Sequence, residues 1–564
     1  MEYKWNLYKI YESDEAWTEG KDDLLSKIDE FESLVSTLVD SKEDFLKVTK
    51  MHVLINELIE RVYCYPRRFL DLDINDKKHK SMFDEALNIY SRIVSLTSKF
   101  SNIAKENKDK VMNYLEDKDA SFYKRYYEII FNINKSSDGD VFKEYQSIRD
   151  EYQELISKLE YGSIEVDGEN TEVNNTTYSN FLLNKNREVR RCAFEALNET
   201  YLNVADKIAD LYIRKLRNDI KGSYEKGYKS LKEMKLAELE LPSNLIDNTV
   251  ASVSEHVSIM HDYVALKKKL VGESDYYLYD ASQPKKDGGA SIDFNEALNI
   301  ADDCLSFLGI DYKKHLDTLK NGSIDAMPKK GKRTLDFTGI TYAGIPYMCL
   351  NYNNKMSGVR TLIHEYGHAV HLLYSKENND FTYFEFSLFL TEVVAKVNEA
   401  IFNNYSVNNN GNVDIPSILS IQLNSIFNQI MFTEFEDRVV KLLESDKEVN
   451  TEVISDIYEE LLTKYNGDAL SKHKYNKYGW LRISHFIMQE PFYLYQYSIG
   501  TILANVIFER LDSEVLEKEK YLEFLGIGNK MNIIDSLKFI GIDLFDKNIF
   551  DNAFTNLDIM IKKL

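Results

Sequence analysis

The sequence has little that breaks helices and little that cross-links loops: 564 residues include only 7 Pro, 23 Gly and 4 Cys. That scarcity of breakers excludes collagen-like and low-complexity chains and leaves room for long helices. Cys64, Cys192, Cys304 and Cys349 stand far apart with no CxxC spacing. This excludes a thiolate zinc site and a disulfide framework, and points to buried thiols in a reducing compartment. Positive charge is short as well, with 70 Lys and Arg against 92 Asp and Glu, a formal net charge of −22. The longest basic run is residues 267–269. A surface of that sign repels phosphate backbones, so no nucleic-acid partner is expected. No stretch approaches about 18 uninterrupted apolar residues, and the opening MEYKWNLYKIYESDEAW carries charges in every turn. Neither a membrane span nor a secretory signal is expected, and the location is read as cytoplasmic.

What the chain does have is apolar periodicity near 3.6 over most of residues 20–160 and 176–240, which predicts a mainly α protein. From Ser243, Val250, Val253, Val257, Met260 and Val264 predict one amphipathic helix that stops at Gly272. Asp167-Gly168 between short alternating segments predicts a tight hairpin over residues 163–173. It suggests a division into an N-terminal helical domain, 1–185, and a catalytic domain, 186–564. Residues 333–352, rich in Thr, Ile and Tyr around Gly339, Gly344 and Pro346, predict a small sheet of two or three strands.

Directly after that sheet comes His364-Glu365-Tyr366-Gly367-His368, an HExxH pattern in a helix predicted to start near Ser357 or Gly358. At about 100° per residue the two histidines lie one turn apart on one face, so both imidazoles can bind one metal ion. Val359, Leu362, Ile363, Tyr366, Val370 and Leu373 occupy the opposite arc, between about 160° and 260° from His364. The stripe carrying His364, His368 and His371 therefore faces an internal cleft.

A catalytic zinc needs a third protein ligand. The Cα of His371 lies about 10.5 Å along the axis from that of His364, which suits a cleft-lining role better than ligation. The next helix, predicted over about Phe386 to Phe402, presents Glu385, Glu392 and Glu399 every seven residues on one face. Its neighbours are apolar nearly all round, so these acids are buried and require partners. Periodicity does not choose among the three.

These motifs resemble the oligoendopeptidase F group of the thimet-oligopeptidase-like zinc metallopeptidases. The matching stretches are HEYGHAVH at 364–371, FLTEVVAKVNEA at 389–400 and WNLYKIYESDEAW at 5–17. TYSNFLLNKNREVRRCAFEAL at 177–197 and HFIMQEPFYLYQYSIG from His485 match too, so the resemblance spans nearly the whole chain. It implies a mainly helical metallopeptidase enclosing a deep substrate channel, with the small sheet beside the HExxH helix. The implied activity is hydrolysis of oligopeptides by one Zn2+ per chain. It further implies that His364, His368 and Glu392 ligate the metal, that Glu365 is the general base, and that Glu399 and His371 stand nearby. In the C-terminal tract it implies that His485 contacts the substrate and that one tyrosine assists catalysis, Tyr497 first and Tyr493 or Tyr495 as the alternatives, the others binding substrate. The separation of His485 from the tyrosine run departs from the group's pattern, Gln489-Glu490 standing as an insertion.

Glu365 beside a zinc-activated water is the arrangement for proton transfer during peptide hydrolysis. Residues 339–347 are the candidate edge for holding an extended peptide, Gly344 allowing close backbone approach. Two other readings remain: a zinc carboxypeptidase or dipeptidyl carboxypeptidase, for which Arg360 and Arg482 would be available to anchor a substrate carboxylate, and a noncatalytic helical zinc-binding protein.

Overall fold

A computed structural model describes residues 3–132, 139–283, 291–409 and 415–562. The chain is mainly α, with one two-stranded and one three-stranded sheet among the described residues. It divides into two compact units: residues 1–136, 289–413 and 503–544, and residues 137–288, 414–502 and 545–564.

In the first unit the N-terminal helices Asp14–Leu34, Lys42–Leu72 and Lys77–Glu106 are each opened by a side-chain cap. Ser13 accepts from the Ala16 N–H, Ser41 from Asp44, and Asp76 from Lys78 and His79. Such caps satisfy amides that the first helical turn leaves unpaired. Their apolar faces close on Trp17, Ile28, Phe31, Val48, Ile55 and Phe100. Tyr347 and Cys349 of the small sheet belong to the same core.

That sheet places Tyr347–Cys349 centrally, parallel to Ile324–Asp325 and antiparallel to Phe337–Gly339, which is left as an edge. Lys332 is buried beneath it, donating to Asp325 Oδ1 at 2.5 Å and to the carbonyls of Asp325, Met327 and Leu350. A buried ammonium surrounded by acceptors in this way ties the strand ends together.

In the second unit the hairpin forms as expected, Ser163–Val166 pairing with Glu169–Glu172. Asp167 and Gly168 both have positive φ, 53° and 84°, the backbone that an Asp-Gly hairpin turn requires. The helix expected from Ser243 to Gly272 is two helices, Leu245–Glu255 and Ser258–Val271, although Gly272 does end the second in a left-handed cap. The break falls at His256, whose ring stacks on Phe554 at 4.4 Å and whose Nε2 lies 3.3 Å from Asp551. A tertiary contact, with no Pro or Gly at the break, outweighs local periodicity there.

Of the other loop expectations, the segment Ser136–Asp140 lies mainly, and Asn408–Asn412 partly, outside the described residues. No helix among the described residues is long and apolar enough to cross a membrane. All four cysteines are free.

Candidate metal centre

The HExxH helix spans Met356–Asn378 and is buried on almost every side, including Val359, Leu362, Ile363, Tyr366 and Val370. The following helix, Leu388–Asn409, lies against it. Gly367 decides how closely they meet: a Cβ there would sit 2.5 Å from the Cα of Ala395. Asn398 locks the pair, donating to the Ile363 carbonyl at 3.1 Å and accepting from the Tyr312 hydroxyl at 2.9 Å.

This approach gathers the chemistry. The Nε2 atoms of His364 and His368 face each other at 3.1 Å. Glu392 brings Oε2 within 3.9 Å of the first and Oε1 within 3.8 Å of the second. Donors held about 2.0–2.1 Å from a tetrahedral ion stand about 3.3 Å from one another, so the three side chains sit around a space of the right size. The Glu365 carboxylate is close as well, His364, Glu365 and His368 offering ligand atoms within 4.8 Å of one another.

The outer nitrogens explain which inner nitrogens are free. His364 Nδ1 donates to Glu399 Oε1 at 2.7 Å, so its Nε2 keeps a lone pair. His368 Nδ1 is paired with the Thr391 hydroxyl at 2.9 Å. Two facing imidazole nitrogens and a carboxylate fit a divalent cation of the zinc type, and a His2Glu set leaves a fourth position open.

Burial alone would lower the His364 pKa, but the Glu399 hydrogen bond and charge outweigh it and raise it. Burial, reinforced by the charge of His364, pushes His368 well below the ordinary value. For Glu399 burial works toward a raised pKa, yet Lys396, His364 and Arg360 together hold it far below the carboxylate range. Lys396 lies 2.6 Å and Arg360 3.4 Å from its oxygens, and Arg360 also donates to Asn403 at 2.7 Å.

Glu365 is buried, and burial raises its pKa against the lowering effects of His364 and Thr338. The Thr338 hydroxyl, from the edge strand, donates to Glu365 Oε2 at 2.6 Å. A candidate proton carrier is thus aimed by a residue that the motif does not contain.

The expected row of three acids is corrected at Glu385. The second helix begins at Leu388, and Glu385 precedes it in an extended conformation, φ −65° and ψ 150°. It shares no helical face with Glu392 and Glu399. His371 is buried and stacks on Phe386, centroids 3.8 Å apart and planes 12° apart, its burial taking the pKa down to about 3. The edge expected over residues 339–347 is corrected: the edge strand is Phe337–Gly339, and Tyr347 opens the central strand. Gly344 packs its bare face toward Tyr347 and Ile10 while its carbonyl accepts from Lys376 at 2.6 Å, which leaves it closed to another backbone.

His485, Tyr493, Tyr495 and Tyr497 belong to the second unit. His485 opens the short helix His485–Met488 and is exposed, Tyr495 is buried, and Tyr493 and Tyr497 stack edge-on at 5.4 Å. Sequence reasoning missed Thr338, Thr391 and Lys396. For Thr391 and Lys396 a signal existed, since Thr391 precedes Glu392 and Lys396 lies one turn beyond it.

Residues 180–556 match the model of a family described as Peptidase family M3. Oligopeptidase PepF of Bacillus subtilis is 28% identical over 96% of this chain and 83% of its own length. Among solved structures, one from Chlamydophila abortus superposes with a TM-score of 0.87 at 22% identity, covering 100% of this chain and 98% of that one. Oligoendopeptidase-F from Enterococcus faecium superposes with a TM-score of 0.74 at 21% identity, covering 98% of each chain.

Proposed function

Because the chain belongs to peptidase family M3, we propose that it is a cytoplasmic zinc endopeptidase that hydrolyses internal bonds of short, unfolded oligopeptides. The observation that carries this reading is the pair of facing Nε2 atoms, 3.1 Å apart, with the Glu392 carboxylate within 3.9 Å of both. The free cysteines support a reducing compartment.

In this reading His364, His368 and Glu392 hold one zinc ion. Its chemistry, when bound, is Lewis acidity: it polarises the peptide carbonyl and lowers the pKa of water to about 7. Glu365 takes the proton of the attacking water and returns it to the leaving amine. Burial suits it to the first stage, since a raised pKa makes the carboxylate a better base. Thr338 fixes the orientation of that carboxylate, and Glu399 keeps the His364 Nε2 lone pair turned inward. The edge strand Phe337–Gly339 offers backbone hydrogen bonds to an extended substrate, and in this reading His485 and Tyr497, with Tyr493 beside them, act on the substrate.

An exopeptidase would need a free cation for the terminal carboxylate. Arg360 is already engaged with Glu399 and Asn403, whereas Arg482 lies over the Tyr178 ring with Nε and Nη1 lacking a hydrogen-bond partner among the described residues, so substrate chemistry has to separate the two readings. The test is cleavage of an internally quenched peptide of about ten residues with an amidated C-terminus. Chelator-sensitive cleavage that spares a folded protein is expected. Failure on the amidated peptide with cleavage of the free acid would establish an exopeptidase instead.

A further inference from the structure

Within the second unit, one residue of the tract from His485 has a backbone that its side chain does not favour. Phe492 has φ +56°. The other non-glycine residues with positive φ among those described are Asp167, Glu240, Asn354, Asp446 and Glu514, so Phe492 is the one aromatic. For a bulky residue this conformation is costly and persists only where the surroundings enforce it.

The enforcement comes from Glu436, on the helix Gln429–Glu444. The Phe492 N–H donates to Glu436 Oε2 at 2.6 Å, and Glu436 is only 3% exposed. Its neighbours on the same helix meet cations: Glu434 meets Arg438 and Lys464, and Asp437 meets Lys232 and Lys441. Glu436 has the Lys215 charge acting on it and gives a carboxyl oxygen to a backbone amide. An oxygen held at that point accepts from the amide whether or not the carboxyl is charged, and it fixes the direction of the N–H.

The segment is held at a second point. Glu490 lies 2.7 Å from Lys235. Directly after these anchors comes Tyr493, whose ring meets Tyr497 at 5.4 Å in the first turn of the helix Tyr495–Asp512.

We propose that Glu436 is a positioning residue: by gripping the Phe492 amide it holds the left-handed turn that aims Tyr493 and Tyr497. This rests on the reading that the tract acts on the substrate. Glu436 would touch neither substrate nor metal.

The test compares Glu436→Asp, which keeps the charge but draws the carboxylate back by one carbon, with Glu436→Gln, which keeps an oxygen acceptor in place. For Glu436→Asp, kcat on the quenched peptide is expected to fall about 10-fold or more, with KM within about 3-fold and zinc content unchanged. Hydrogen exchange measured by mass spectrometry should accelerate in the peptide covering residues 489–494. Glu436→Gln should stay within about 3-fold of the parent in kcat, with the segment still protected.

The reverse order, with Asp active and Gln inactive, would show that charge matters rather than the amide bond and would overturn the proposal. Parent-like turnover and protection in Glu436→Asp would overturn it too. His485→Ala and Tyr497→Phe separate the underlying reading. If both turn over normally while Glu436→Asp still loosens residues 489–494, the tract has no part in the reaction and the proposal falls with that reading. If both lose turnover and Glu436→Asp does not, only the role of Glu436 is wrong.

Discussion

Gly367 and Ala395 are in such close backbone contact that no side chain fits between them, a Cβ on residue 367 reaching 2.5 Å from the Ala395 Cα. The glycine at the fourth position of the HExxH pattern thus brings the helix of Glu392 within reach of the two histidines.

Gly367→Ala should therefore force the helices apart. The obstacle is backbone, which cannot rotate away as a flexible side chain could, so the expected destabilisation is at least the roughly 1–3 kcal/mol typical of overpacking. Thermal denaturation and zinc content by elemental analysis check it. A variant with parent-like stability and full metal content would contradict the close-approach argument.

Glu399→Gln should weaken zinc binding by about 10–100-fold, the usual cost of losing a partner that orients a ligating histidine. The amide retains the shape, but it no longer compels a proton onto His364 Nδ1, and it leaves Lys396 and Arg360 without their shared counter-charge. Competition against a chelator of known affinity measures the effect.

Thr338→Val removes the hydroxyl that fixes Glu365 Oε2 while keeping volume and strand propensity. We expect kcat to fall about 10-fold with zinc content unchanged, and Thr338→Ser to recover most of it. Steady-state kinetics on the quenched peptide decide. Equal loss in both variants would point to strand packing rather than to the hydroxyl.

A pH dependence of stability follows from Glu436. Burial raises its pKa from 4.5 to about 7, the Lys215 charge and the Phe492 amide opposing that rise and Asp219 and Asp437 adding to it. Between those two values the unfolded chain has released a proton that the folded chain keeps, so this group's contribution to stability falls as pH rises through the window. Glu436→Gln removes that linkage. The melting temperature of the parent relative to Glu436→Gln should therefore be higher near pH 5 than near pH 8. An offset that does not change with pH would contradict it.

What the sequence made legible is what depends on local spacing. The i, i+4 histidines, the apolar arc from Val359 to Leu373 and the Asp167-Gly168 turn are repeats of short period, and the structure contains each of them. Contacts set by tertiary packing were not legible. Thr338 meets Glu365 from a three-residue strand, too short for a pattern to rise above composition. Glu385 fits the seven-residue spacing, but the chain is still extended there and becomes helical only at Leu388. His256 interrupts a well-patterned helix because its ring stacks on Phe554, nearly 300 positions later. Glu436 and Phe492 are joined through a backbone amide, which leaves no trace in side-chain periodicity.

The most direct measurement is an anomalous difference map from crystals of unchelated protein, collected on both sides of the zinc absorption edge. We predict a single peak between the two facing imidazoles, about 2.0–2.2 Å from each Nε2 and from one Glu392 oxygen. A peak that leaves Glu392 uncoordinated, or no zinc signal in protein that still cleaves peptides, would contradict the account.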